Sequence, residues 1–271
     1  MNIPIINLIK QYKSEKKEIN QAIDKVFNKG DFILGNEVEK FEKKICKFLK
    51  VKNCVALNSG TDALVLGLYL LGIRKNHEII TPPNSFIAST AAIVHLGAIP
   101  VFADVKNDQN IDPSDIEKKI SKKTKAIMPV HLSGKPCEMD KIIAISKKHN
   151  IPIIEDAAQS IGTKYRNKFV GTFGKVGCFS AHPLKNLNAV GDAGYLVTND
   201  NKLAKKAMLL RNHGIEKRNN VLHFGYVSRM DNLQATVLNL RFKDLTKVIK
   251  KRRINAKLYS KYLKDIKNIR I

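Results

Sequence analysis

Between residues 54 and 156 the chain alternates short apolar runs with helical stretches of about ten residues. The runs cover 54–57, 78–81, 99–103, 126–130 and 151–154. The stretches between them, 63–71, 85–96, 113–120 and 139–149, carry apolar positions at helical spacing. Strands that alternate with helices of this length form βαβ units. The fold class is therefore α/β, with a mostly parallel central sheet flanked by helices. Ligands of such sheets bind beyond the carboxyl ends of the strands. Ser59-Gly60-Thr61, Asn84-Ser85-Phe86, His131 and Asp156 all fall at that edge.

Two helices precede this region, at about 12–28 and 38–49, with Gly30 and Gly35-Asn36 as breaks. After it come strands at 176–179 and 195–198, helices at 201–210 and 231–240, and a long basic helix over 243–263. Leu245, Val248, Ile249, Ile254, Leu258 and Tyr262 form the apolar side of that last helix. Apolar residues make up 44% of the 271 positions, enough for a sizeable core. No apolar run reaches the ~18–20 residues of a membrane span. The start of the chain shows no basic region and no small-residue cleavage site, so a cytoplasmic protein without a signal peptide is expected. Cys46, Cys54, Cys137 and Cys178 lie far apart and are expected as buried free thiols, with no metal site. The formal charge is +24. Its lysines are spread over nearly every predicted helix, with few aromatics near the densest run, 247–253. The pattern points to solvated helix faces and a lean toward anionic small molecules, and not to nucleic acid.

The stretch Phe179-Ser180-Ala181-His182-Pro183-Leu184-Lys185-Asn186-Leu187 follows a buried strand, and Gly191-Asp192-Ala193-Gly194 follows it in turn. A lysine held just past a buried strand is placed where desolvation lowers its pKa, as an amine nucleophile requires. Asp156 ends an apolar run, so its carboxylate must be paired or hydrogen-bonded. A protonated ring nitrogen is a suitable partner. Ser59-Gly60-Thr61 opens a helix whose N–H groups suit a phosphate, although the same residues also serve as ordinary caps. A lysine, a buried acid and a phosphate-binding helix end are what pyridoxal phosphate needs.

Asn58-Ser59-Gly60-Thr61-Asp62-Ala63-Leu64, Glu155-Asp156-Ala157-Ala158-Gln159 and Phe179-Ser180 through Leu187 together resemble the DegT/DnrJ/EryC1/StrS family. The resemblance runs from Ile3 to about Lys261. It implies a pyridoxal-phosphate enzyme of fold type I that aminates nucleotide-linked keto sugars with glutamate or glutamine as donor, for polysaccharide or glycan precursors. By the same resemblance Lys185 matches the Schiff-base lysine and Asp156 the acid at the pyridine nitrogen. Gln159 matches the residue beside the phenolic oxygen, Phe86 the aromatic stacked on the cofactor, and Gly60, Thr61 and Ser180 the phosphate contacts. His182 stands beside these, with a site role and a structural role equally open. The family's sugar dehydratases carry His where Lys185 stands here, which argues against that branch. A regulatory or nucleic-acid-binding protein on the same fold is the other alternative.

The resemblance also implies a homodimer. The segment Gly225-Tyr226-Val227-Ser228-Arg229-Met230 is similar to one that reaches the neighbouring site, but Val227 replaces an Asn there and cannot donate to a phosphate. Ala193 replaces a usual Gly. The expected division is a cofactor-binding domain over 1–242 and a long helix over 243–271. That helix leads toward a C-terminal small domain that would be largely missing. On that expectation the chain holds its cofactor while sugar turnover is weak.

Overall fold

The computed structural model describes residue 4 and residues 6–268. Residues 1–3, 5 and 269–271, on which parts of the expectations about both chain ends rest, lie outside the described residues. Helices α1 (Leu8–Phe27) and α2 (Asn36–Leu49) lead into β1 (Asn53–Leu57) and α3 (Gly60–Leu70). The alternation follows as β2 (Glu78–Thr81), α4 (Ile87–His95), β3 (Ile99–Phe102), α5 (Pro113–Lys118), β4 (Thr124–Ile127), α6 (Met139–His149) and β5 (Ile154–Asp156). A small hairpin, β6 (Lys164–Tyr165) and β7 (Lys168–Phe169), precedes β8 (Val176–Ser180) and β9 (Gly194–Thr198). Then come α7 (Asn201–Leu210), a second hairpin of β10 (Ile215–Lys217) and β11 (Asn220–Val221), α8 (Asn232–Arg241) and α9 (Leu245–Leu263). Polar side chains start several helices: Asn7, Ser59, Asp112 and Asp200 each accept a backbone N–H of the first turn.

The strands form two ladders, β3-β2-β4 and β5-β8-β9-β1. Parallel bridges Ile127–Ile153 and Val130–Asp156 join them into one sheet. Pairing is parallel except at β9, which runs antiparallel to both β1 and β8. The expected mostly parallel sheet is therefore present, with one reversed strand.

Two strand boundaries move from their expected places, each at a proline. The run 151–154 enters the β8 ladder only at Ile154, while the Pro152 carbonyl accepts the Ile127 N–H on the β4 side. The run 126–130 starts earlier, at Thr124, and leaves the ladder before Pro129. The first shift moves Asp156 from beyond a strand to its last position, paired with Cys178.

Side chains alternate across the sheet. Cys54, Ala56, Phe179, Tyr195 and Val197 face one core with Phe41, Ile45 and Leu238 of α2 and α8. Val55, Leu57, Cys178 and Leu196 face the other with Leu64 and Leu68 of α3 and Leu210 of α7. A third cluster packs α5 and α6 against Ile80 and Ile127. Gly67 lets α3 lie close to the sheet, since a Cβ there would fall 2.7 Å from Ile154 Cδ1. Cys54, Cys137 and Cys178 are buried as free thiols, whereas Cys46 is only partly covered. Beyond Ile249, α9 is exposed along nearly its whole length, with Ile254, Leu258 and Tyr262 on the surface. Among the described residues no helix is long and apolar enough to cross a membrane.

The first core is held by an aromatic column. The Phe179 ring stacks on Tyr195 at 4.9 Å, and Phe41 meets Tyr195 edge-on at 5.4 Å. Phe41 is fully buried. Phe41→Ala is expected to lower unfolding free energy by about 3–5 kcal/mol, the usual cost of emptying such a site. Urea unfolding of the variant checks this, and a loss below about 1 kcal/mol would show that the column bears little of the load.

Candidate active site

At the carboxyl edge of the sheet lies a cavity of about 390 Å³. Its lining includes Gly60, Thr61, Phe86, Asp156, Gln159, Ser180, His182 and Lys185. Eight positions spread over 126 residues of sequence (185 − 60 + 1) thus meet in one place. Strand polarity explains the convergence. β5 and β8 run parallel, so Asp156 and Ser180 leave the sheet at the same edge.

Asp156 is 4% exposed. Its Oδ1 accepts the Ala158 N–H at 3.0 Å and its Oδ2 accepts the Ser89 hydroxyl at 2.8 Å. Burial pushes the carboxyl above its ordinary value, while these two donors and the nearby Lys185 pull it down. Lys185 is half-buried on the turn after β8. Desolvation pushes its ammonium below the ordinary value, and the Asp156 charge opposes this. The two groups therefore feel each other across the cavity.

The turn that carries Lys185 is pinned locally. The Lys185 N–H donates to the His182 carbonyl, and the Leu184 N–H donates to His182 Nδ1. His182 is itself exposed at the cavity rim. Its observed contacts shape the lysine turn.

The start of α3 forms the cavity floor. Among the described residues, the Gly60 and Thr61 N–H groups have no hydrogen-bond partner, whereas the Asp62 N–H is capped by Ser59 Oγ at 3.0 Å. A Cβ on Gly60 would lie 2.7 Å from Ser180 Cβ, and one on Gly194 would run into the Ser59–Gly60 peptide. Two glycines thus let the helix end, β8 and β9 close on one another. Two free N–H groups and the dipole's positive end face the same space as the Thr61 and Ser180 hydroxyls.

Gln159 Oε1 accepts the Ser133 N–H at 2.8 Å, which commits the amide oxygen and leaves the NH2 as the donor toward the cavity. Phe86 caps α4 and is 70% exposed at the mouth. Sequence reasoning missed Ser89. It sits in an even run, Ala88-Ser89-Thr90-Ala91, where no spacing sets it apart. His131, although at the same edge, is turned away. Its Nδ1 accepts the Cys137 N–H, so Nε2 carries the proton and donates to Glu155 at 3.0 Å.

This sheet order and edge site define an α/β enzyme of the pyridoxal-phosphate aminotransferase fold. The DegT/DnrJ/EryC1/StrS aminotransferase family model matches residues 13–271, and the chain belongs to that family. It is 42% identical over 264 residues to a dTDP-3-amino-3,6-dideoxy-alpha-D-galactopyranose transaminase of Aneurinibacillus thermoaerophilus, covering 97% of this chain and 73% of that one. The structure of S. venezuelae DesV in complex with a ketimine intermediate superposes with a TM-score of 0.94 at 37% identity, covering 97% of this chain and 71% of the other. NtdA from Bacillus subtilis with bound cofactor PMP gives 0.92 at 34% identity, covering 98% and 62%.

The folded chain holds the Asp156 proton more tightly than the unfolded chain. Stability should therefore fall as pH rises from the ordinary carboxylate value, 3.8, through the raised folded one. Asp156→Asn removes that dependence. In cofactor-free protein the variant should gain stability relative to wild type as pH rises above the ordinary carboxylate value, 3.8. Paired urea titrations check this; a difference that does not change with pH would contradict a strained carboxylate.

Proposed function

We propose that this chain is a pyridoxal-phosphate-dependent aminotransferase that moves an amino group from glutamate or glutamine to a nucleotide-linked keto sugar. The carrying observation is that Lys185 and Asp156 line one cavity with the open N-terminus of α3. Family membership and the names of its relatives support the reading.

The residues present fit the cofactor. The space made by Gly60 and Gly194, with the Gly60 and Thr61 N–H groups and the Ser180 hydroxyl, suits a phosphate. Asp156 would hold a proton on the pyridine nitrogen, and the Gln159 NH2 would reach the phenolic oxygen. Phe86 would cover one ring face. When bound, the cofactor supplies an electron sink for charge at the substrate Cα. Lys185 would hold the cofactor covalently and, once released by the donor amine, carry the proton to and from Cα. Burial lowers its basicity, the direction that task needs.

The homodimer belongs to the same proposal. Val221, Leu222, Phe224 and Val227 stand exposed around the β10–β11 hairpin, Phe224 wholly so, as apolar surface that a partner would cover. So do the division at residue 242, a cytoplasmic setting and a place in polysaccharide or glycan precursor synthesis. A lysine at 185, and not a histidine, separates this reading from a dehydratase.

Amino-group labelling tests the function. With glutamate or glutamine labelled with 15N at the α-amino group, the label should appear first in the bound cofactor and then in the amino sugar when UDP- or dTDP-linked keto sugars are added. Label in neither product, from a protein that retains its cofactor, would overturn the proposal.

A further inference from the structure

The Asp156 carboxylate takes one side-chain hydrogen bond among the described residues, and it comes from Ser89 at 2.8 Å. Ser89 is 1% exposed, on the first turn of α4. Its N–H donates to the Phe86 carbonyl at 3.1 Å, so the hydroxyl is fixed by the same turn that presents Phe86 to the cavity mouth. The neighbours of Asp156 along β5 and β8 have partners of their own. Glu155 points to the opposite face of β5, where it accepts the N–H groups of Gly171, Phe173 and Gly174. His131 donates to Glu155. The Cys178 thiol on β8 bonds the Ala63 carbonyl. Lys185, on the turn after β8, lines the same cavity, and its charge favours the ionised carboxylate.

We propose that Ser89 is a positioning residue for the reaction, holding the Asp156 carboxylate ionised and aimed into the cavity. The proposal rests on the cofactor reading above. A carboxylate this buried stays charged only while donors replace its water. Ala158 serves Oδ1 and Ser89 serves Oδ2. Each oxygen has a second lone pair to offer the cavity. Without the Ser89 hydroxyl, Oδ2 has no donor among the described residues, and the neutral acid gains on the carboxylate. A neutral Asp156 cannot keep a second proton on a ring nitrogen. Loss of this one buried hydroxyl in the cavity wall would then weaken the electron sink. The same turn would set both the ring's stacking partner, through Phe86, and its protonation, through Ser89.

The test uses the full chain loaded with pyridoxal phosphate labelled with 15N at the ring nitrogen. Wild type should show the shift of a protonated nitrogen at neutral pH. Ser89→Ala should move it toward the unprotonated value and slow the glutamate half-reaction about tenfold or more, the worth of a hydrogen bond to a charged group. Ser89→Thr, which keeps the hydroxyl, should restore both. Thermal melts of the cofactor-free variants report folding separately. A wild-type nitrogen shift in Ser89→Ala would overturn the proposal, as would a Thr variant no better than Ala. A wild type that binds no cofactor would instead remove the functional reading, and this proposal with it.

Discussion

A carboxylate taken out of water costs several kcal/mol unless something replaces the water. The chain places two in succession, Glu155 and Asp156, at the end of β5, and answers them differently. Glu155 receives four donors: three backbone N–H groups of the 171–174 turn and the His131 ring. It ties that turn to the sheet and has little left to offer a ligand. Asp156, on the opposite face, receives two donors and keeps the rest of its accepting capacity toward the cavity. One residue closes the fold and its neighbour leaves it open. Burial raises the Asp156 pKa, as expected where binding a partner, and not folding, satisfies the charge.

The second constraint is steric. The α3 N-terminus can serve an anion only if it comes close to the strands that carry the other groups. Gly60 against Ser180, and Gly194 against the 59–60 peptide, allow contacts that no side chain would tolerate. That closeness depends on β9 running back between β8 and β1. The reversed strand brings the chain from the lysine turn to the helix end, so lysine, acid and phosphate cradle share one edge.

Much of this could be read from the amino acids. The strand and helix alternation, the edge on which residues 59–61, 86 and 156 fall, and the lysine beyond β8 follow from apolar periodicity and turn residues. The reversal of β9 does not, because a buried five-residue strand looks the same in either direction. The boundaries of β4 and β5 do not follow either, because where a ladder starts and stops depends on which strand lies alongside. Ser89 was invisible for a related reason. Its significance is a hydrogen bond to a residue 67 positions away, and nothing local distinguishes it from Thr90. His131 shows the reverse case: correctly placed at the edge, it is turned by Cys137 and Glu155 toward the core.

The account's central claim is that the Lys185 amine, half-buried opposite Asp156, is the group that takes the cofactor. Reduction of the pyridoxal-phosphate-loaded protein with borohydride, followed by proteolysis and mass spectrometry, addresses it directly. The account predicts that the reduced adduct lies on the peptide carrying Lys185, and that Lys185→Ala abolishes it while remaining folded. An adduct on any of the surface lysines, with Lys185 unmodified, would contradict it.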